Sequence, residues 1–201
     1  MNDKFFSLPL EKQNKMLNAA YKVFSNNSYR KASMFDIAQE GGVSKSLLFH
    51  YFHNKQALYL YLWDFALKKT QETTSEFKVT ETEDFFEMLK RNLIAKCTLI
   101  CHYPYLHTFC LNAYYEPDLD IQNSIQVSVQ NIVVENESLL LEAMKGTKFR
   151  SDIDLNLMYR GMTWAADGYL RQRILLSNWN TDEVERDFLA LIEQWRKIYV
   201  D

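Results

Sequence analysis

The stretch Ser33 to Lys55, SMFDIAQEGGVSKSLLFHYFHNK, contains the pattern that decides the fold. Two short segments with helical spacing of apolar residues are separated by Gly41-Gly42, which predicts two helices joined by a tight turn. Ser33 and Ser44 stand where each helix would need an N-terminal cap. The inward faces are predicted to be Met34, Ile37 and Ala38 on the first helix, and Leu48 and Phe52 on the second.

Two short helices around a glycine turn, at about residues 33–52, indicate a helix-turn-helix unit that places its second helix in the DNA major groove. The other side chains of that second helix are expected to point outward, where they can contact bases. Ser33 and Lys55 lie near helix N-termini, so we expect them to bind phosphates. The expected groove residues are Lys45, Ser46, Leu47, Phe49, His50 and Tyr51.

The N-terminal quarter of the chain resembles the TetR family of transcriptional regulators. The matching segments are AAYKVF at 19–24, SMFDIA at 33–38, GVSK at 42–45, LFHYFHNK at 48–55, and Leu58. Because many spaced positions agree, this similarity is more specific than a single short motif. It implies an all-α regulator that binds a palindromic DNA operator as a homodimer and responds to a small molecule.

Two residues of the second helix depart from the family pattern. Phe49 stands where many members have Tyr, so the phosphate hydrogen bond of a phenol is not expected here. Leu47 stands where many members have a small or polar residue. It suggests apolar contact with a thymine methyl group, or the loss of a polar contact.

The composition is that of an ordinary globular protein. The chain has 201 residues, of which 47% are hydrophobic and 24% charged. No apolar run is long enough to span a bilayer, and the first residues lack the apolar region of a secretory signal. We therefore expect a cytoplasmic protein with no membrane partner.

Charge is divided unevenly along the chain. Residues 1–70 contain ten Lys or Arg and five Asp or Glu, whereas the remainder contains thirteen basic and twenty-one acidic residues. A segment of charge +5 followed by one of −8 fits a DNA-facing head on a body that does not face DNA. Taken alone, a surplus of five positive charges over seventy residues could equally belong to an ordinary solvated surface. It supports DNA binding only together with the helix-turn-helix motif.

Helical periodicity runs through almost the whole chain, which has only five Gly and three Pro. The sequence predicts an all-α fold of about nine helices, with a DNA-binding head at 1–70 and a body for effector binding and dimerisation at 71–201. A fourth helix from about Asn54 would join the two. The other expected helices lie at about 9–26, 83–102, 105–115, 119–145, 152–177 and 181–199.

The last two helices, 152–177 and 181–199, are the candidates for dimerisation that the family resemblance implies. The final helix has a long apolar stripe, which could equally pack on its own body. The stripe comprises Val184, Phe188, Leu191, Ile192, Trp195, Ile198 and Tyr199. The possible facing stripe on the preceding helix is Met158, Met162, Ala165, Ala166 and Tyr169.

An effector pocket, if the chain follows the family, would lie in the body. Apolar walls with a few polar groups are typical of such pockets. The alternative is that the aromatic residues among the candidates belong to the ordinary hydrophobic core. The candidate pocket residues are His102, Tyr105, Phe109, Tyr114, Trp164 and Asp167.

One cluster of thiols and imidazoles could in principle bind a metal ion, but its spacing matches no strong zinc pattern. Buried free cysteines explain it equally well, so no metal or cofactor is expected. The cluster consists of Cys97, Cys101, His102, His107 and Cys110.

The functional hypothesis is a sequence-specific transcriptional regulator that is not an enzyme, most simply a ligand-responsive repressor, although activation is also compatible with the sequence. An effector that prefers one conformation of the body would change DNA affinity. The competing hypothesis is an enzyme or ligand carrier that retains the head only for packing. The sequence has no nucleophile and base pairing and no glycine-rich phosphate loop to support it.

Overall fold

A computed structural model of the protein describes residues 3–175 and 180–201, and over these ranges the chain is helical with no strand. None of the helices in this part combines the length and the apolar character that crossing a membrane requires. The helices are α1 (Asp3–Phe6), α2 (Leu10–Asn26), α3 (Met34–Gly41), α4 (Lys45–Phe52), α5 (Lys55–Glu76), α6 (Phe85–His102), α7 (Leu106–Tyr114), α8 (Leu119–Gly146), α9 (Leu155–Leu175) and α10 (Thr181–Tyr199).

The expected all-α class is confirmed, and each of the nine expected helices is present, with its start within about three residues of the expected one. The expected end of the helix at 152–177 lies outside the described residues. One described helix, α1, was not expected, because four residues are too few to show a helical period. Gln13 holds the chain after α1 by donating its side-chain amide to the carbonyl of Leu8 at 2.8 Å.

The chain packs as two compact units. One unit comprises residues up to Thr73 together with Thr98–Asn136, and the other comprises Thr74–Cys97 together with Glu137–Asp201. The first unit therefore includes α7 and part of α8 in addition to the helix-turn-helix segment. A functional boundary near residue 70 stays a prediction, but the packing unit that contains the head is larger than residues 1–70.

The core of the first unit is rich in aromatic rings. Phe109 of α7 is fully buried, with its ring centroid 4.8 Å from that of Tyr59 and 5.1 Å from that of Tyr21. Tyr21 also donates its hydroxyl to the carbonyl of Leu62 at 2.7 Å, which satisfies the one polar atom of this ring. These contacts explain why α7 belongs to the same unit as α2 and α5.

The second unit buries Phe85 and Phe86 of α6 among residues of α8, α9 and α10. Met158 and Met162, expected as part of a dimer stripe, are buried in this core and so face their own unit. Much of the α10 stripe also packs within the unit, since Val184, Phe188 and Ile192 are buried. The alternative in which that stripe packs on its own body is therefore correct for these three residues.

Candidate nucleic-acid interface

Capping residues fix the two helices of the helix-turn-helix segment. The Asp36 N–H donates to the Ser33 hydroxyl oxygen at 3.1 Å, and that hydroxyl donates to the Asp36 carboxylate at 2.7 Å. At the second helix, the Leu47 N–H donates to the Ser44 hydroxyl oxygen at 3.2 Å. Both caps were predicted from the sequence, and each satisfies an amide that would otherwise lack a partner.

The two glycines of the turn differ in what the structure requires of them. Gly42 has φ of 68°, in the left-handed region that favours glycine, and the next N–H, of Val43, donates to the Ala38 carbonyl at 2.9 Å. Gly41 is buried against α2, where a Cβ would lie 3.5 Å from the Cβ of Ala19, an ordinary van der Waals contact. The geometry of the turn is thus set by backbone and packing together.

The outward face of α4 forms a compact surface that we call the reading surface, defined as Lys45, Ser46, Leu47, Phe49 and His50. All five side chains are exposed, as the sequence predicted. The Lys45 ammonium lies 5.8 Å from the Phe49 ring centroid, a distance at which the ring attracts the cation. The surface therefore offers one cation, apolar groups and hydrogen-bonding groups, a mixture that can contact both phosphates and base edges.

Tyr51 does not belong to this surface, although the sequence predicted that it would. Only 6% of the residue is exposed, and its ring meets Phe5 edge-on with the centroids 5.8 Å apart. The reason is the unexpected helix α1, which covers the flank of α4 that Tyr51 faces. Tyr51 is therefore part of the core of the first unit.

Lys55 has a structural role instead of the expected phosphate contact. Its ammonium donates to the carbonyls of Tyr29, Arg30 and Ala32 at 2.7, 3.3 and 3.0 Å, and it lies 4.5 Å from the Tyr29 ring centroid. An ammonium has three N–H donors, so all of them are used in holding the α2–α3 loop. The Ser33 hydroxyl is likewise committed to the Asp36 carboxylate, whose charge would repel a phosphate.

Glu116 is a buried carboxylate whose importance the sequence did not reveal. It is one of the few buried polar side chains in the described part of the chain, and it accepts the Tyr29 N–H at 3.0 Å. Asp118, two residues later, accepts a hydrogen bond from the Arg30 guanidinium at 3.3 Å. The turn between α7 and α8 therefore holds the same loop that Lys55 holds. In the sequence, Glu116-Pro117-Asp118 shows only the pattern of a helix end.

Four of the six candidate effector residues lie in the first unit, and they do not share one environment. Phe109 is core, as the alternative interpretation held, while Tyr114 is exposed beside Tyr115. The other two residues accept hydrogen bonds from side chains of α2 through their backbone carbonyls. The His102 carbonyl accepts one from Asn18 at 3.0 Å, and the Tyr105 carbonyl accepts one from Ser25 at 3.0 Å.

The first unit contains a cavity of about 360 Å³, and Tyr105 is the one candidate residue among those that line it. The remaining two candidates, Trp164 and Asp167, lie in the second unit, where Trp164 is 58% exposed. The six residues therefore stay separate candidates for effector contact. The cavity is lined by Lys15, Asn18, Ala19, Lys22, Glu40, Pro104 and Tyr105.

The cysteines differ in their surroundings. Cys97 is buried, Cys101 is exposed and Cys110 is half-buried, and none of the three forms a disulfide. Burial raises the pKa of the Cys110 thiol to about 12, so it is not a thiolate at neutral pH. Within the described ranges, no group of three or more His, Cys, Asp or Glu side chains is arranged to hold a metal ion.

Comparison with known proteins agrees with this geometry. Residues 16–62, which contain α3, α4 and most of α2, match the family model for bacterial regulatory proteins of the tetR family. The search of curated proteins found no match.

Several solved structures share the fold over nearly the full length of the chain. One is a TetR family transcriptional regulator from Chloroflexus aurantiacus, with 21% identity, a TM-score of 0.60 and coverage of 98% of this chain and 92% of that one. Another is the TetR family regulator PfmR from Thermus thermophilus, with 21% identity, a TM-score of 0.64 and coverage of 90% and 92%. The fatty acid degradation regulator FadR from Bacillus halodurans has 17% identity, a TM-score of 0.64 and coverage of 90% and 94%.

Proposed function

We propose that this chain, whose residues 16–62 form a DNA-binding domain of the tetR family, is a ligand-responsive repressor that binds a palindromic operator as a homodimer. A TetR-type head within a fold shared with TetR-family regulators supports a DNA-binding transcriptional regulator rather than an enzyme. A DNA-binding role also supports a cytoplasmic location.

The observation that carries the proposal is the reading surface on α4. Its five side chains are exposed together, while the opposite face of the helix is anchored by the buried Leu48 and Phe52. A rigid helix with an outward set of mixed polar and apolar groups is suited to direct contact with base edges. The surplus of cations in residues 1–70 would add sequence-independent attraction to phosphates.

A homodimer is supported by the outer face of α9. Leu157, Gly161, Trp164 and Gly168 recur at helical spacing and are exposed, although two of them are large apolar residues. The glycines have open space where a Cβ would be, so a second helix could approach this face closely. We propose this face, in place of the stripe that contains Met158 and Met162, as the contribution of α9 to the dimer. A dimer would set two reading surfaces about 34–36 Å apart on the DNA.

The response to a ligand is proposed to reach α4 by two routes. The first is α5, which begins three residues after α4 ends. The second is the α2–α3 loop, where the Tyr29 N–H is held by Glu116 and the Tyr29 carbonyl is held by Lys55. An effector would lower operator affinity only as far as it binds one conformation more tightly than the other.

Footprinting on the DNA that flanks this protein's own gene tests the proposal. The wild type should protect a palindrome, and the double substitution Lys45→Ala, Leu47→Ala should abolish the protection, because both side chains belong to the reading surface. The matched control is Lys68→Ala, which removes an exposed cation of α5 that pairs only loosely with Glu72 at 3.9 Å. If neither this DNA nor a pool of random duplexes yields a protected sequence, the proposed function is wrong.

A further inference from the structure

Helix α1 lies outside the segment that matches the family model, yet it contacts the recognition helix α4. Its contact is made by Phe5, which is fully buried. The Phe5 ring centroid lies 4.9 Å from that of Phe52 and 5.8 Å from that of Tyr51, both on α4. It also lies 5.9 Å from the ring of Tyr61 on α5. One side chain therefore joins α1 to two helices of the head.

The position of α1 is itself fixed from the side of α2. The Gln13 amide donates to the carbonyls of Phe6 and Leu8 at 3.3 and 2.8 Å, and the Leu8 N–H donates to the Phe5 carbonyl at 3.2 Å. These bonds hold the turn that follows α1 close to the start of α2. The backbone at Phe5 is therefore held in place relative to α2, and the Phe5 ring can fix the position of α4 relative to α2.

We propose that Phe5 is a positioning residue for DNA recognition. Its ring holds Tyr51 against the head, and this fixes the rotation of α4 that presents Lys45, Leu47 and His50 outward. The proposal rests on the proposed DNA-binding function and adds a determinant that lies outside the matched segment at 16–62. A short helix has several ways to rotate on an apolar core, and aromatic rings in edge-on contact favour one of them.

Sequence-specific binding should depend on this rotation far more than non-specific binding does. Contacts to base edges need side chains in one orientation, whereas attraction between cations and phosphates depends mainly on charge. The ratio of specific to non-specific affinity therefore reports the position of α4. General loss of stability would reduce the folded fraction and lower both affinities equally, so it would leave the ratio unchanged.

The experiment measures this ratio for the full-length wild type and three variants. The probes are a duplex selected from random-sequence DNA by the wild type and a scrambled duplex of the same composition. Phe5→Ala should lower the ratio at least about tenfold, and Phe5→Leu, which keeps most of the apolar bulk but loses the aromatic ring, should lower it by about threefold. The matched control is Leu10→Ala at the start of α2, a large apolar residue that also precedes the matched segment and is 74% exposed, and its ratio should stay within about twofold of the wild type.

Circular dichroism shows which variants fold. If Phe5→Ala is unfolded, Phe5→Leu replaces it in the comparison, and the ratio of specific to non-specific affinity should then fall by about threefold. Folded Phe5 variants with an unchanged ratio would overturn the positioning role while leaving the proposed function intact. A wild-type ratio of about one would overturn the proposed function, and the positioning role with it. An equal loss in Leu10→Ala would also overturn the proposal, because it would assign the effect to the residues before the matched segment in general.

Discussion

At the scale of single residues, two lysines close together in the head perform different tasks. Lys45 stands in the first turn of α4, exposed on the reading surface. Lys55 uses all three of its N–H donors on backbone carbonyls of the α2–α3 loop. Both are ordinary cations in the sequence, and only the position of the partner carbonyls distinguishes them.

Substitution of these two lysines should separate DNA binding from stability. Lys45→Ala should weaken non-specific DNA binding and reduce the slope of log affinity against log salt by about one unit, because one phosphate contact is lost. Lys55→Ala should leave that slope unchanged and lower the free energy of unfolding by about 2 kcal/mol, since three carbonyls lose a charged donor. Binding titrations at several salt concentrations, with denaturant unfolding of each variant, measure both quantities. A reduced salt slope in Lys55→Ala would contradict its structural role.

At the scale of helices, a capping residue joins two elements of the second unit. Asp84 precedes α6 and accepts the Glu87 N–H at 2.8 Å. It also accepts two hydrogen bonds from the Arg196 guanidinium of α10, at 2.9 and 2.8 Å. Partial burial acts to raise the pKa of Asp84, but the amide donors and Arg196 outweigh it and hold this pKa below its usual range.

Asp84 should therefore make stability depend on pH in one direction. A carboxylate whose pKa is lowered by folding contributes fully above its unfolded value, near 4, and the contribution disappears as pH falls through the folded value. Asp84→Asn keeps a capping oxygen but loses the charge, so it should cost about 1 kcal/mol at pH 7. The difference from wild type should shrink below about pH 4. Thermal unfolding between pH 3 and 7 measures it.

The control for this prediction is Asp120→Asn, which removes an exposed acid from the first turn of α8. That substitution should not reproduce the pH dependence. A stability difference for Asp84→Asn that stays constant down to pH 3 would contradict the role of the ion pair.

The helices themselves could be predicted from the sequence because their signals are local. Apolar spacing, Ser33, Ser44 and Gly42 are enough to set the two helices of the motif and the turn between them. The burial of Tyr51 could not be predicted, because it depends on Phe5, forty-six residues earlier, in a helix too short to show a period. Long-range polar contacts such as that of Glu116 with Tyr29 are invisible for the same reason: both partners look like ordinary loop residues until the chain is folded.

At the scale of the whole molecule, the basic surplus and the exposed apolar face of α9 lie in different parts of the chain. The basic surplus lies in residues 1–70, with the reading surface, whereas the exposed apolar face of α9 lies in the acidic remainder. Several exposed apolar residues on one helix face, such as Trp164 and Leu157 here, are typical of a surface that another protein covers. The distribution supports a DNA-binding region and a separate self-association region on one chain.

The dimer proposal predicts that one substitution on α9 will disrupt both assembly and operator binding. Trp164→Glu would remove an indole ring from each protomer and place two carboxylates in the interface of a two-fold dimer. Arg160, which lies 5.0 Å from the Trp164 ring, could pair with the new carboxylate, but burying that pair still costs desolvation, so sedimentation should show a monomer at micromolar concentration. Because two linked heads bind a palindrome far more tightly than one, operator affinity should fall by about 10²-fold or more, whereas binding to a single half-site should persist. The control is Val127→Glu on α8, which makes the same kind of change at an exposed apolar residue outside the last two helices. It should remain dimeric and bind the operator. If Trp164→Glu stays a dimer with full operator affinity, the outer face of α9 is not the interface.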